Sequence, residues 1–583
     1  MLALPCVLLA LGASEPASAS ASASAASSVC TLPPRTSVRS DGCCTTSVNS
    51  TAPAVPCSAA ATPFGDCAQA RQFPKILARF HVMDRTCDEN DVNAPFYFRG
   101  VYHGFYQKHC AIPVPGEVIK GIVYGHVVSS DLVHWAHLPV AIWNDQPYDR
   151  YAIYSGSATV IDFGDGGRPF IIYPGLSLHD EWPACPPKRA NFVQAVPTNL
   201  SDPLLISWQK PGYNPIHNGS AKDPSAAWET AAGGEWRFSD NAGAIYSSSD
   251  FARWRLLGLM GDKNRFPTGD CPSLFKLPRR TPGTGAAPAG VAQPTHVHIC
   301  SGSPFGSWAQ VGHYVDGAPH TPGLWYPTAA SPCLQSKPRA TACGRSIDRG
   351  QTYAAKNFED PKNNRTLLWT NFNGKPNASN ALIRDVTWNA ELQQLEFAPI
   401  EEQAQLRDVV LAERTNVTVA AGAELLLSSA AWRGRGNTSE IECVFQLPPT
   451  TARFGVVVMG AGKNSAAHSG TYFSIDYEPQ TNSAVVAACA GGSATKCGSN
   501  PLPVGWELDA LACPEGANAS SCRPVDLLRL SPSERTLSLR IFTDLTFAEA
   551  YFQRGRSVLT VGVEPSAIAR YITILAAHSF RYL

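Results

Sequence analysis

A chain of 583 residues with 44% hydrophobic and 16% charged residues can bury more than one core, so two or more domains are expected and a disordered chain is excluded. Lysine plus arginine equals aspartate plus glutamate at 47 each, which leaves no basic field for a nucleic-acid backbone and no general attraction to an anionic membrane. The 13 Trp, 18 Tyr and 24 Phe, beside 46 Gly, 47 Pro and only 4 Met, suit strands punctuated by turns, and an all-β chain is predicted.

The apolar run from Met1 to Gly12 is too short to span a bilayer and is followed by small residues such as Ala17-Ser18-Ala19, so it reads as a signal peptide although no Lys or Arg stands near its start. No later apolar run is long enough for a transmembrane helix, and sequons at Asn49, Asn199, Asn218, Asn364, Asn377, Asn416, Asn437 and Asn518 fit a secreted glycoprotein, extracellular, in the cell wall or vacuolar. The 18 cysteines, 17 once Cys6 leaves with the leader, lack paired zinc spacing and point to disulfides. An odd total implies at least one thiol that is free or paired outside the chain.

Residues 1–28 therefore hold the leader and an Ala/Ser tract, which cannot bury a core. Residues 29–75 hold Cys30, Cys43, Cys44, Cys57 and Cys67 among Ser, Thr, Pro and Ala, an irregular extension expected to be pinned by disulfides.

From 76 to 400 short apolar runs recur between turn residues, among them Phe96-Tyr97-Phe98, Ala158-Thr159-Val160-Ile161, Phe170-Ile171-Ile172-Tyr173 and Leu274-Phe275, and each predicts a strand. One unit repeats at blade-sized intervals: Ser130-Asp131 with Trp135, Ser201-Asp202 with Trp208, and Ser249-Asp250 with Trp254. Such recurrence is the mark of radial β repetition, a propeller. Acids also recur just ahead of predicted strands, Asp91 before Pro95-Phe96, Asp223 before Pro224-Ser225 and Asp270 before Pro272-Ser273. Each is expected to start an inner strand, so that carboxylates distant in sequence meet at one mouth of a central channel.

Residues 401–409 read as a short helical linker. In residues 410–583 the pattern turns to period two, with Leu537, Leu539 and Ile541 on one face and Leu559, Val561 and Val563 on another, which predicts an antiparallel β-sandwich.

Cleaving an acetal with retention needs one carboxylate to attack the anomeric carbon and one carboxylic acid, about 5–5.5 Å away, to protonate the leaving oxygen. Asp91 and Asp270 are the candidates, with Asp91 ionised and Asp270 expected to keep its proton through burial and the anion beside it. Asp223 is a third acid able to hold sugar hydroxyls through charge-assisted hydrogen bonds. The scheme calls for no metal and no cofactor.

The segments Phe80-His81, Asn90-Asp91-Val92-Asn93-Ala94-Pro95, Arg99 through Gln107, and Gly125 through Trp135 resemble the invertase and fructan hydrolase family, glycoside hydrolase family 32. The resemblance continues through Tyr154-Ser155-Gly156-Ser157, Lys222-Asp223-Pro224, Asp270-Cys271-Pro272, Tyr353-Ala354-Ala355-Lys356-Asn357-Phe358 and Leu539-Arg540-Ile541-Phe542 with Asp544 and Glu549. It implies a five-bladed β-propeller followed by a C-terminal β-sandwich and retaining cleavage of β-fructofuranosides, with sucrose or a fructo-oligosaccharide as the small carbohydrate partner. Carried over by position, it makes Asp91 the nucleophile, Asp223 the transition-state stabiliser and Asp270 the acid/base. Asn90, Gln107, Tyr154, Ser155 and Lys222 fall where the family binds the fructosyl unit, and Cys271 follows the acid as the family's cysteine does, which gives the odd thiol a place.

Three departures matter. The family's tryptophan-methionine-asparagine-aspartate-proline-asparagine-glycine stands here as Asp88-Glu89-Asn90-Asp91-Val92-Asn93-Ala94, so the loop loses its aromatic, proline and glycine. The second motif's arginine is Lys222, which keeps the charge without the planar fork. The acid/base glutamate is Asp270, shorter by one methylene or roughly 1.5 Å of reach, and a misplacement of about 1 Å can cost on the order of a hundredfold in rate. A fructosyltransferase needs the same acids, and a non-catalytic carbohydrate-binding propeller is the rival from another class; retention of all three acids favours chemistry. Asp544 and Glu549 read as surface or interface charges, and His81, His103 and His126, which lack metal-ligand spacing, as packing or hydrogen-bonding residues.

Overall fold

The computed structural model describes residues 78–84, 88–109, 121–164, 166–177, 190–220, 222–261, 268–302, 306–329, 344–350, 352–372, 378–427, 438–460, 470–490 and 525–562. Of 2–11, 29–30, 55–56 and 571–577 it describes the backbone. The low-complexity tract, most of the Cys-rich extension and Val563 lie outside these residues.

The short apolar runs become strands because their β-branched and aromatic side chains fill a pleated surface and the Gly, Pro, Asn and Asp between them turn the chain. Five antiparallel sheets follow in chain order. The first holds Asp88–Phe98, Val101–His109, Ile122–Ser129 and Ala136–Ile142. The second is built on Ser157–Ile161, Arg168–Leu176 and Ala190–Pro197, and the third on Trp228–Glu229, Trp236–Ser239, Ala244–Ser248 and Arg255–Leu259. The fourth runs Asp270–Lys276, His296–Ser301, Ser307–Val315, Leu324–Pro327, and the fifth Thr352–Asp360, Arg365–Phe372, Arg384–Asn389, Gln394–Pro399.

Their first strands meet in a closed ring, which makes the architecture a propeller. Asp88–Phe98 packs beside both Ser157–Ile161 and Thr352–Asp360, and the latter packs beside Asp270–Lys276. The stretch after Asp223 completes the circle: Ala227 N donates to Thr159 Oγ1 at 2.8 Å, Ser157 Oγ to Pro224 O at 2.8 Å, and Cys271 N to Asp223 Oδ2 at 3.2 Å.

The repeated Ser-Asp…Trp unit is an aspartate-capped turn at all three places, and in the first and third sheets it is the same turn, between the third and fourth strands. In the first sheet Asp131 Oδ1 accepts from Val133 N and His134 N, Leu132 turns at φ +68°, and Trp135 Nε1 donates back to Leu132 O. In the third sheet Asp250 Oδ1 accepts from Ala252 N and Arg253 N, Phe251 turns at φ +59°, and Trp254 Nε1 donates to Phe251 O. Asp202 caps Leu204 N and Ile206 N, with Leu205 at φ +46°. An aspartate that bonds the next backbone amides lets a leucine or phenylalanine hold a left-handed conformation, and in the first and third sheets the tryptophan then closes the turn.

After a 3-10 helix over Glu401–Leu406, two six-stranded sheets form a sandwich. Thr536–Asp544 buries Leu537, Leu539 and Ile541 against Phe454, Val456, Phe473 and Ile475 of the opposite sheet, and Leu559 and Val561 join them. Leu2–Leu11, which the sequence marks as a leader, lies here as a strand between Arg407–Val419 and Thr438–Gln446, its backbone paired on both edges.

The sandwich is fastened to the propeller by buried charge. Asp544 accepts backbone hydrogens from Arg79, Phe80 and His81, and Glu549 accepts Leu382 N, Tyr551 Oη and Arg384 Nη2. His81 joins the two acids, with Nδ1 2.8 Å from Asp544 and Nε2 2.8 Å from Glu549. These acids are therefore interface groups sealed from water, not solvated ones. Burial alone would lower the His81 pKa, but the two carboxylates raise it above its ordinary value, and Glu549 is held at about 2. His103 and His126 stack with Phe96 and Phe105 and share a 3.1 Å nitrogen-to-nitrogen contact, a packing role.

Candidate active site

β-Bulges at the ring's inner strands aim the candidate residues. Register shifts occur between Glu89 and Val92, between Asp270 and Ser273, and between Tyr353 and Lys356. Each inserts unpaired residues that bend the strand and redirect a side chain. Left-handed residues mark the same places: Ala94 at φ +44°, Asp223 at +54°, Cys271 at +53° and Ala354 at +53°. Ala94 stands where the resemblance has a glycine, and a left-handed non-glycine residue costs roughly 1–2 kcal/mol, so the loop keeps its shape under strain. Only Asp270 opens a strand as expected. Asp91 lies within Asp88–Phe98, carried by its bulge, and Asp223 lies in extended chain ahead of Trp228–Glu229.

Cys271 joins the three acids. It follows Asp270, its Sγ lies 3.6 Å from Asp91 Oδ2, and its amide donates to Asp223 Oδ2 at 3.2 Å. It is a free thiol, as is buried Cys300, whereas Cys443 and Cys489 are disulfide-bonded. Oδ2 of Asp91 also accepts the hydroxyl of Ser155 and, at 3.4 Å, Gln107 Nε2, which itself donates to Ser155 Oγ at 2.7 Å. Oδ1 of Asp91 receives Asn90 Nδ2 at 3.0 Å, and the Asn90 oxygen is held by His109 Nε2.

Asp270 is half-buried, with Tyr353 Oη 2.5 Å from Oδ2 and Asn241 Nδ2 3.4 Å from Oδ1. Asn241 reaches the neighbouring segment too, its Oδ1 accepting Lys222 N at 3.0 Å. The ammonium of Lys222 stands 4.9 Å from the centre of the Tyr154 ring, a cation–π contact in place of an arginine fork. All nine sequence-derived site residues, Asn90, Asp91, Gln107, Tyr154, Ser155, Lys222, Asp223, Asp270 and Cys271, are thus linked in one network.

The electrostatics differ from expectation. Full burial falls on Asp91 and Asp223, and it raises the pKa of both; Asp270 adds to each shift by repulsion. Asp223 is pushed up to about 7, whereas the hydrogen bonds from Ser155, Cys271 and Asn90 work to keep Asp91 ionised. The burial expected of Asp270 is only partial: its side chain is half-buried at the start of its strand. Burial, then Asp91 and Asp223, push the Cys271 thiol far up, so it stays protonated as a donor.

Tyr353, Asn241 and Lys356 were not picked out for the site from the sequence. Tyr353 and Lys356 lie in a segment of the resemblance that carried no role, while Asn241 has no sequence signal, since an asparagine beside Asp240 reads as an ordinary turn.

Comparison with known proteins identifies the family. The family model described as glycosyl hydrolases family 32 N-terminal domain matches residues 81–395, and the C-terminal model of the same family matches 403–580. The chain is 26% identical over 539 residues to "Beta-fructofuranosidase, insoluble isoenzyme 7" of Oryza sativa subsp. japonica, covering 82% of each chain. It is 26% identical over 556 residues to "Fructan 6-exohydrolase" of Triticum aestivum, covering 84% of this chain and 85% of that one. Its fold is similar to the crystal structure of fructan 1-exohydrolase IIa from Cichorium intybus, with a TM-score of 0.65 at 21% identity over 86% of this chain and 94% of that one. That protein has also been solved in complex with 1-kestose.

Proposed function

The chain belongs to glycosyl hydrolase family 32 and is a glycosidase of the invertase type, and from that premise we propose that it cleaves β-fructofuranosides such as sucrose or short fructans with retention. In this reading Asp91 attacks the anomeric carbon through Oδ1, because Oδ2 is occupied by Ser155, Gln107 and Cys271. Asp270 protonates the leaving oxygen, with Tyr353 on Oδ2 leaving Oδ1 to carry the proton. Asp223, turned inward and held by the Cys271 amide, bonds sugar hydroxyls as positive charge develops on the ring. Lys222 and Tyr154, with Asn90 and Gln107, line the fructosyl side.

The observation that carries the reading is the meeting of Asp91, Asp223 and Asp270 around Cys271. Packing like charges into buried surroundings is costly, and a module that only binds sugar has no need for three such groups with dedicated supports. Export from the cell is part of the proposal, supported by the sequons and by disulfide-bonded Cys443 and Cys489.

The test incubates the purified protein with sucrose and inulin between about pH 4 and 7, with Asp91→Ala as control, and measures fructose and glucose. Fructose release lost in the variant supports the hydrolase, and methanol added as acceptor gives the β-methyl fructoside if configuration is retained. New oligosaccharides in place of free fructose would redirect the reading to fructosyl transfer. A folded protein that turns over neither sugar would reject it.

A further inference from the structure

Among the described residues, Lys356 is the buried cation whose contacts lie among the three aspartate-bearing segments. It flanks the same bulge that sends Tyr353 to Asp270, and only 1% of it is exposed. Its Nζ donates to Ser157 Oγ at 3.0 Å, Pro224 O at 3.4 Å and Pro272 O at 3.5 Å. Each acceptor adjoins a site residue: Ser157 is two residues from Ser155, which bonds Asp91; Pro224 follows Asp223; Pro272 follows Asp270-Cys271. Ser157 in turn donates to Pro224 O, so the three segments converge on one ammonium. An ammonium has three donors and here finds three acceptors, none of them a carboxylate. Burying a cation without an ion pair is expensive, and the charges that act on it are those of Asp223 and Asp91.

We infer that Lys356 is the positioning residue of this site: its ammonium ties the Ser155–Ser157, Asp223–Pro224 and Asp270–Pro272 segments to one point and supplies a buried positive charge beside the Asp91 and Asp223 carboxyls. The inference rests on the proposed hydrolysis, for which those carboxyls must be held in register. The field is felt in both directions. Burial pushes the ammonium's pKa down while Cys271, Asp223 and Asp91 act against that, and Lys356 in turn works to lower the pKa of Asp223. Lys356 touches none of the reacting atoms itself, so it acts through the carboxyls.

The test compares wild type with Lys356→Met, Lys356→Gln and Ser157→Ala for fold, for kcat and KM on sucrose, and for the pH profile of kcat/KM. Lys356→Met removes the charge and the donors. Its kcat is expected to fall about a hundredfold, with KM moved by less than about threefold and the acidic limb displaced upward by about one pH unit or more. Lys356→Gln keeps amide donors for the carbonyls without the charge and is expected to show the same displaced limb. Ser157→Ala cuts one tether and keeps the charge, so kcat falls several-fold with the limb in place. An acidic limb unmoved in a folded Lys356 variant would reduce the residue to a structural tie and overturn the inference; if neither Lys356 variant folds, wild-type kcat in Ser157→Ala does so. Wild type inactive on both sugars defeats the hydrolase reading instead, whereas active wild type with unaffected variants defeats this inference alone.

Discussion

The hydroxyl of Tyr353 stands 2.5 Å from Oδ2 of Asp270, across the boundary between the fourth and fifth sheets. That contact bears on how a shorter acid serves where the family has glutamate. The bulge after Asp270 and the bulge after Tyr353 bring the two side chains together, and Asn241 approaches the other oxygen, so the surroundings are fitted to an aspartate. Asp270→Glu would push its carboxyl toward Tyr353. Its kcat on sucrose is expected to fall by about tenfold or more, and Tyr353→Phe, which leaves the carboxyl unanchored, is expected to lower kcat with little change in KM. A rise in kcat for Asp270→Glu would show that the native carboxyl sits short of the leaving oxygen.

Lys222 stacks on Tyr154 as a point charge. Lys222→Arg restores a planar group that stacks on the same ring and grips two oxygens. KM for sucrose is expected to drop by roughly three- to tenfold, about 1 kcal/mol of binding, with kcat nearly unchanged. Steady-state kinetics of the variant would settle this, and an unchanged KM would place the lysine outside the sugar's reach.

Asp223 links activity to stability. Its folded pKa is raised by burial to about 7, above its ordinary value of 3.8. The folded state therefore holds a proton that the unfolded state gives up, so this group's contribution is fully present below about pH 4 and is lost as pH rises through about 7. Each unit of such a shift corresponds to about 1.4 kcal/mol. Asp223→Asn, isosteric and neutral, is expected to have a higher Tm than wild type at neutral pH, a gain that shrinks toward pH 4, together with lost turnover. Thermal melts across that range check it; a gain independent of pH would assign the effect to something other than this proton.

His81 sets a second pH dependence, at the domain interface. A neutral imidazole has one N–H, yet both ring nitrogens lie 2.8 Å from a carboxylate oxygen, so the ring is held doubly protonated. Its pKa is raised, and the stability it supplies is fully present below pH 6.5 and lost as pH climbs through the higher folded value. His81→Gln is expected to destabilise the protein by about 3–5 kcal/mol at pH 5 and to flatten the fall in Tm above pH 6.5. Calorimetry of both proteins would decide it, and parallel Tm curves would exclude the histidine as the titrating group.

Strand content, the Ser-Asp…Trp turns and the period-two sandwich were legible in the sequence because each depends on neighbours a few residues away. An aspartate capping its own turn, or a leucine alternating with a serine, needs no distant partner to be recognised. The candidate acids were legible through motif order, and the fold links the nine residues in one network of contacts. Only the tertiary structure decided which carboxyl is buried, because burial depends on which strands close over it: Asp91 and Asp223 are buried and Asp270 is half-buried. It also decided that Asp544 and Glu549, spaced like surface charges, face His81 across 463 and 468 residues of chain, and that Lys356 gathers segments from two other sheets and from the chain leading into a third. Local pattern fixes which way a strand's side chains alternate, but the field and the solvent at any one of them come from chain brought in from elsewhere, and that was decided only when the ring closed.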